Sequence, residues 1–556
     1  MAEDVFDIVV LGAGAAGMAA AATAASLSKK VLLIESSKFV GGTSALSAGS
    51  VWVPSSGLLG ADSGLEAART YLDAVVGNWS SRAMRSSFLE RGPEMIAHLH
   101  RIGAIDLAPY PYHPDYLADA PGASTQGRVL GARAFDGRLL GKHLALLRPP
   151  MPEFTVFGGM MVDRTDIGHL LGMNRSIRSF VHSVRLVGRY GIDRLSGRRG
   201  RRLVMGNALT GRLLRSLMDL GVVIRTRTAV DALTIRDGRV WGLVADGREV
   251  TARDGVIVAT GGFSHHPELR SRYYPEPVAK HSAVPDTNRG GGLDMLIEAG
   301  GHLVEHHANA AFWAPCSVNR RADGSLAVFP HFVLDRAKPG VIAVGRSGRR
   351  FVDESTSYQR FVEGMYQAGS NSCHLICNGD FIRRYGLGIV RPGTRDPASF
   401  VQSGYLSQCK TLDELAARIG VDSAGLLDTA ALMDQYARSG VDPDFGRGGN
   451  AYGRNLGDPA HGPNPCLGPI GAGPYYALEI HPGDIGTSIG IETNTSAQVL
   501  DQSGQPIAGL YAAGNDMSSV MGGVYPGPGI TLGPGMTFGY VAAMHAANAL
   551  QQETSQ

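Results

Sequence analysis

Short apolar runs that end on glycine recur along the chain, and they set its architecture. Residues 6–11 (FDIVVL) are almost unbroken in apolar character, the pattern of a parallel strand buried on both faces. They run into Gly12-Ala13-Gly14-Ala15-Ala16-Gly17, and the alanine-rich stretch that follows has strong helix propensity. Residues 31–34 form a second apolar strand that ends at Glu35. Strand, glycine turn, helix, strand and acid, in that order, predict a βαβ nucleotide-binding unit. Residues 221–259 return to short strands joined by the turn Asp237-Gly238, and residues 256–259 run into Thr260-Gly261-Gly262. A last strand, from Gly509, closes on Ala513-Gly514-Asn515. Between these landmarks the pattern loosens. Residues 110–140 are rich in Pro, Gly and Tyr and read as loops crossing a surface or a site. Residues 306–466 are mixed, as expected of a separate α+β cap. No repeat of solenoid period is present.

Composition narrows the function more by exclusion than by indication. The 556 residues are enough for two or three domains, and 44% hydrophobic with 18% charged residues is a globular balance. The 75 glycines cluster in short loops, which points to close backbone approach to a ligand rather than to disorder. With 52 basic and 50 acidic side chains the net charge is +2, so no nucleic-acid partner is expected. Five cysteines without a CxxC pair or zinc spacing predict reduced thiols, no metal and a cytoplasmic chain. The start of the sequence lacks a basic region followed by a long apolar stretch, which argues against a secretory signal. No apolar window reaches about 18 residues, so no membrane span is expected. Residues 175–202 are densely basic, with Ile177, Phe180, Val181 and Val184 at roughly helical spacing. Such a helix suits either a peripheral membrane contact or a solvated face of the cap.

The cofactor follows from the glycine loops. Gly12 permits the tight turn, Gly14 lets the backbone approach a pyrophosphate, and Gly17 allows close helix packing; the N–H groups of Ala15 and Ala16 open the helix toward the phosphates. Glu35, with Ser36 beside it, suits a ribose diol and repels an extra phosphate. A simple NAD enzyme would continue into another βα unit. Here Gly41-Gly42-Thr43-Ser44 and Ser47-Ala48-Gly49 follow instead, and Ala259-Thr260-Gly261 and Gly514-Asn515 bring the chain back to the same place. That combination predicts an extended FAD. With no histidine in the 41–49 loop, the FAD is expected to be non-covalent.

These motifs, in this order and over nearly the whole chain, resemble the succinate dehydrogenase/fumarate reductase flavoprotein superfamily. The resemblance implies an α/β fold: a discontinuous Rossmann-like FAD-binding domain (1–305 and 468–556) with an inserted α+β catalytic (cap) domain (306–467). It also implies that Val230 touches the adenine. Three segments are similar to the 3-ketosteroid dehydrogenases: residues 523–534 (GVYPGPGITLGP), Pro482-Gly483-Asp484-Ile485-Gly486-Thr487, and Arg336-Ala337-Lys338-Pro339-Gly340 with the following 347–354. Tyr525 and Gly529 would then hold a ketone as an oxyanion-hole pair, with Ile530 and Leu532 continuing the wall toward the flavin. A base would take the α-proton while hydride leaves to flavin N5, desaturating a small apolar ketone such as a 3-ketosteroid, with an unknown electron acceptor downstream.

These dehydrogenases use two tyrosines for the proton. Tyr116, in His113-Pro114-Asp115-Tyr116, matches the early one. The second is expected just before Arg336, where the sequence reads Phe329-Pro330-His331-Phe332 and has no tyrosine. His331 offers an imidazole in its place, or is simply a satisfied core histidine. Two rival readings remain: an enoate reductase of the fumarate type, with Arg336 as proton donor, and a flavin-binding protein without this catalysis.

Overall fold

The computed structural model describes residues 4–58, 64–195, 197 and 199–553, with side chains described up to residue 548. Residues 196 and 198 of the basic segment lie outside them. An eight-stranded sheet runs in the order Val223–Thr226, Val31–Glu35, Asp4–Leu11, Arg248–Val258, then Arg239–Ala245 and Pro506–Ala512, with Gln498–Leu500 at the edge. The first four strands are parallel, and Pro506–Ala512 joins Arg248–Val258 in parallel from the far end of the chain. The strand Val230–Arg236 pairs with Arg239–Ala245 as a hairpin. Its turn residues Asp237 and Gly238 both have positive φ (51° and 72°), the geometry that matches strand twist.

Glycine and alanine set the spacing around this sheet. The helix Ala15–Ser26 is nearly all alanine, and its buried face packs against the helix Leu532–Glu553. A Cβ on Gly539 would stand 2.5 Å from Ala16 O, so the two backbones meet with nothing between them. Gly12 has φ of +94°, and a Cβ there would lie 2.2 Å from Ala259 O. At Gly17 the added atom would reach 1.9 Å from Gly12 O.

A seven-stranded second sheet carries the cap. Its spine is the 13-residue strand Tyr475–Thr487, paired antiparallel with Ala311–Arg320 on one side and Cys373–Asn378 on the other. His281–Ser282 also joins this strand, so the second sheet draws on residues either side of the 306–467 span. Pro482 and Gly483 inside the spine mask it as a strand in the sequence.

The helix Ile177–Leu195 buries Ser183, Leu186, Tyr190 and Asp193. Leu186 and Tyr190 pack with Met160 and Val162 from a small hairpin. Its other apolar positions face outward: Ile177 is 85% exposed, Phe180 52%, Val184 51% and Ile192 69%. Among the described residues no helix is long and apolar enough to cross a membrane, and all five cysteines are unpaired.

Gly17→Val tests the close packing. The side chain has no room beside Gly12 O, so the variant is expected to purify with little yellow cofactor and to melt several degrees lower, a shift thermal unfolding measures directly.

Candidate active site

One cavity of about 2590 Å³ runs between the two sheets, well above the roughly 300–1,000 Å³ of an ordinary small-molecule site. It has room for a dinucleotide and a second ligand. Its first half gathers the predicted cofactor residues: Gly12, Gly14, Ala15, Ala16, Glu35, Ser36, Gly42, Thr43, Ser44, Ser47, Ala48, Gly49, Val230, Ala259, Thr260, Gly261, Gly514, Asn515, Gly529 and Leu532 all line it. Three do not. Gly17 spaces the helix from the Gly12 turn, Gly41 faces Ala45, Leu147 and Thr210, and Ile530 is buried in the core.

The geometry fits FAD. A Cβ on Gly14 would find only Ser44 Oγ, at 3.8 Å, so this turn is open toward the cavity while its neighbours are closed. Ser44 Oγ accepts from Ala15 N–H (3.1 Å) at the helix N-terminus, where an anion is favoured. Glu35 sits at its strand end, fixed by the N–H groups of Ala13 (3.0 Å) and Ser37 (2.9 Å). Asp516, which sequence reasoning missed, ties the two returning loops together. Its buried carboxylate accepts from the N–H groups of Thr260, Gly261 (3.0 Å) and Gly262 (3.1 Å) and from Thr260 Oγ1 (3.0 Å).

The second half of the cavity is lined by three buried tyrosines, Tyr116, Tyr358 and Tyr525, with Tyr452 packed behind them. Tyr525 stacks on Tyr116 with ring centroids 5.7 Å apart and meets Tyr358 edge-on at 5.0 Å. Tyr116 O–H donates to Tyr358 O–H at 3.2 Å, and the Tyr452 ring lies 4.6 Å from Tyr116. Burial holds the Tyr116, Tyr358 and Tyr525 hydroxyls above the ordinary tyrosine range, and for Tyr525 hydrogen bonds with Tyr358 and Thr531 oppose it. Gly529 (φ +93°) lies against Ser50 and Trp52, with no space for a side chain. Its carbonyl accepts from Trp52 N–H (3.2 Å), while its own N–H donates to no protein acceptor among the described residues.

The tyrosine hydrogen-bonded to Tyr116 is Tyr358, 22 residues after Arg336, whereas the resemblance implies a tyrosine just before it. It opens the helix Tyr358–Gln367, capped by Ser357, and Phe332 holds it in place with ring centroids 5.0 Å apart. His331 lines the cavity, but both ring nitrogens are engaged: Nδ1 by Asp335 Oδ2 (2.6 Å) and Nε2 by Ser317 Oγ (2.8 Å). Arg336 is buried and spends its guanidinium on the carbonyls of His331 (3.0 Å), Phe332 (3.1 Å) and Glu354 (3.0 Å). It staples the loop that presents Phe332.

Tyr116 is positioned from the other side. Asp115 and Arg128 form an ion pair at 2.5 Å, each 1% exposed, and Asp115 also accepts from Trp52 Nε1–H (3.0 Å) and Ser124 N–H (2.9 Å). Burial pushes the Asp115 carboxyl up and Arg128 opposes it.

A glycine turn, a ribose acid and a returning C-terminal strand, opening onto a hydroxyl cluster beside a free backbone N–H, define a flavin-dinucleotide oxidoreductase. The chain belongs to the FAD binding domain family, whose model matches residues 7–532. It is 38% identical to the 4-oxocyclohex-2-ene-1-carboxylate 5-dehydrogenase of Sinomonas cyclohexanicum, over 97% of this chain and 93% of that one. It is 36% identical to a 3-oxosteroid 1-dehydrogenase of Mycolicibacterium smegmatis, over 98% of this chain and 97% of that one. The crystal structure of the 3-ketosteroid delta1-dehydrogenase of Sterolibacterium denitrificans superposes with a TM-score of 0.92 at 35% identity, covering 98% of this chain and all (100%) of that one.

Arg128→Met leaves the Asp115 carboxylate buried without its partner. The expected cost is about 3–5 kcal/mol of unfolding free energy, read from the urea midpoint at unchanged slope.

Proposed function

We propose that this protein is an FAD-dependent dehydrogenase that introduces a carbon–carbon double bond next to the ketone of a 3-ketosteroid. FAD, when bound, supplies the hydride acceptor. The observation that carries the reading is the meeting of Tyr525 and Gly529 with the Tyr116–Tyr358 pair at one end of the cavity. Tyr525 O–H and Gly529 N–H would donate to the ketone oxygen and stabilise the negative charge that develops there. The polarised ketone acidifies its α-carbon, and the Tyr358 hydroxyl, paired with Tyr116, takes the proton. Apolar walls from Phe329, Phe332, Val333 and Ile485 keep water away and suit a flat hydrocarbon skeleton. The reductase reading loses its donor, because the Arg336 guanidinium is fully engaged by carbonyls within the cap.

Anaerobic mixing with a saturated 3-ketosteroid is expected to bleach the flavin and give a product two hydrogens lighter. Tyr525→Phe should slow bleaching by about 10²–10³-fold and Tyr358→Phe by about 10²–10⁴-fold. His331→Gln should cost far less than either; a loss as deep as that of Tyr358→Phe would return His331 to the role of base. No bleaching with any 3-ketosteroid would refute the reading itself.

The pH dependence has a definite sign. Burial raises the Tyr116 and Tyr358 hydroxyls, so both are protonated at neutral pH. The proton-accepting form is the deprotonated one, and its fraction grows about tenfold per pH unit below the pKa. Stopped-flow bleaching rates should therefore climb steadily from pH 7 toward pH 9.5 and lose this slope in Tyr358→Phe.

We also propose that the helix Ile177–Leu195 rests on an anionic membrane surface. Its exposed Val184 lines the cavity with Leu171 and Met173, and exposed Ile177 and Phe180, with Arg178 and Arg185, continue the same helix away from it. The holoenzyme is expected to sediment with vesicles containing phosphatidylserine and not with phosphatidylcholine alone. Phe180→Asp combined with Ile177→Asp should abolish this, and equal behaviour of the double variant and the parent would refute it.

A further inference from the structure

The cavity wall includes a cationic corner that desaturation beside a ketone does not use. Lys338 reaches it half-buried, and its Nζ has one acceptor, Gly457 O at 2.8 Å. An ammonium carries three donors, so two are left without a protein acceptor among the described residues. Burial holds Lys338 below the ordinary lysine range; Asp458 supports its charge and Arg164 opposes it, which puts all three in one electrostatic neighbourhood. Arg164, the first residue of the helix Arg164–Leu171, lines the same cavity and has no carboxylate partner among the described residues. The two acids nearest it in sequence are committed elsewhere: Asp163 and Asp166 cap the helix and bond to Arg202.

Asp458 does not neutralise the corner. Its carboxylate is already held by Arg384 (2.5 Å), Tyr385 O–H (2.7 Å) and Ala460 N–H (2.9 Å). Lys338, Arg164 and Arg384 thus gather around the Asp458 carboxylate, with Asp335, itself bound to His331, a weaker support for Lys338, and this corner of the cavity is cationic. A cation withdrawn from water wants an anion, and within this cavity the ligand is what can bring one.

We propose that Lys338 and Arg164 form a carboxylate-binding subsite, and that the substrate is a 3-ketosteroid carrying an acidic side chain. This rests on the dehydrogenase reading above: the ketone end is held by Tyr525 and Gly529, and the carboxylate end by Lys338 and Arg164. The pair would act on binding and orientation and take no part in moving the proton.

The test separates binding from turnover. Ligands already desaturated in the ketone ring cannot bleach the flavin, so their affinity for the FAD-loaded enzyme can be titrated through the oxidised flavin spectrum. Three are compared: a 3-keto-1,4-diene steroid with a side-chain carboxylic acid, its methyl ester, and the same nucleus without a side chain. The acid is expected to bind roughly 10- to 100-fold tighter than the ester at low salt, as for a hydrogen bond to a charged group. The preference should shrink as salt rises. Lys338→Gln, which keeps a donor for Gly457 O but removes the charge, should bring the ratio near one, and Lys338→Arg should restore it. Arg164→Gln, at an exposed position, gives a partial loss and guards against a folding defect in the Lys338 variant. An acid-to-ester ratio near one in the parent enzyme, or a ratio unchanged in both charge-removing variants, overturns the subsite. If a neutral saturated 3-ketosteroid still bleaches the flavin, the dehydrogenase reading survives that result. If no 3-ketosteroid binds or bleaches, both fall together.

Discussion

The carbonyl of Pro526 is the point on which the catalytic end of this molecule depends. It accepts the Tyr71 hydroxyl at 2.7 Å and the Tyr116 backbone N–H at 2.8 Å, so one buried oxygen fixes both Tyr116 and the loop between Tyr525 and Gly529. Proline on either side of Gly527 limits the ways the loop can bend. Gly527 and Gly529 lie against Trp52 and Ser50, leaving no room for side chains at either position. Trp52 then donates from its indole to Asp115, the neighbour of Tyr116. Segments separated by more than 400 residues are thus held in mutual register by a few hydrogen bonds and by missing Cβ atoms.

The cap meets this assembly through a second fixed unit. Glu354 is buried between Arg350 (2.7 Å) and Arg447 (3.1 Å), and Arg350 also pairs with Asp442 (2.8 Å). An isolated carboxylate in such a place would be very costly, and the multiple partners are what make it tolerable. Glu354 also accepts from Ala343 N–H (3.0 Å), which pins the strand Val341–Val344 to the segment leading into Tyr358. Arg336 gathers the carbonyls of Glu354 and Thr356 within that segment. The charged motif that resembles the steroid dehydrogenases, residues 347–354, therefore works as the mount for a tyrosine four residues further on.

That mount explains what was legible in the sequence and what was not. The nucleotide half could be read because each requirement is local: Gly12 needs a positive φ, Gly14 an open approach, Glu35 a strand end. Even there, Gly41 and Ile530 fall on the packed side of their loops, a choice made by neighbours such as Thr210 that lie far away in the chain. Tyr358 was missed because its place beside Tyr116 is set by Phe332 and Arg336, contacts across some twenty residues with no periodic signature. The 177–195 helix was visible as a period, but not which face is covered. Ser183 and Asp193 are buried while Ile177 is open, the reverse of what polarity alone suggests.

The tyrosine cluster also shows why two hydroxyls are needed where one group would seem sufficient. A buried tyrosine is a poor proton acceptor, since removing water destabilises the phenolate it would become. Placing Tyr116 O–H at 3.2 Å from Tyr358 puts a second hydroxyl within the same dry space to share the proton, while burial and the contacts with Tyr116 and Tyr525 hold Tyr358 high. In the proposed reaction Tyr525, stacked on Tyr116, would act differently, because it would stay protonated to hold the ketone oxygen. Burial favours that state, and the hydrogen bonds with Tyr358 and Thr531 oppose it only in part. In the proposed reaction this cluster of like residues would be divided into a donor that keeps its proton and a pair that passes one on, and the division would come from where each hydroxyl sits relative to the ketone rather than from residue type.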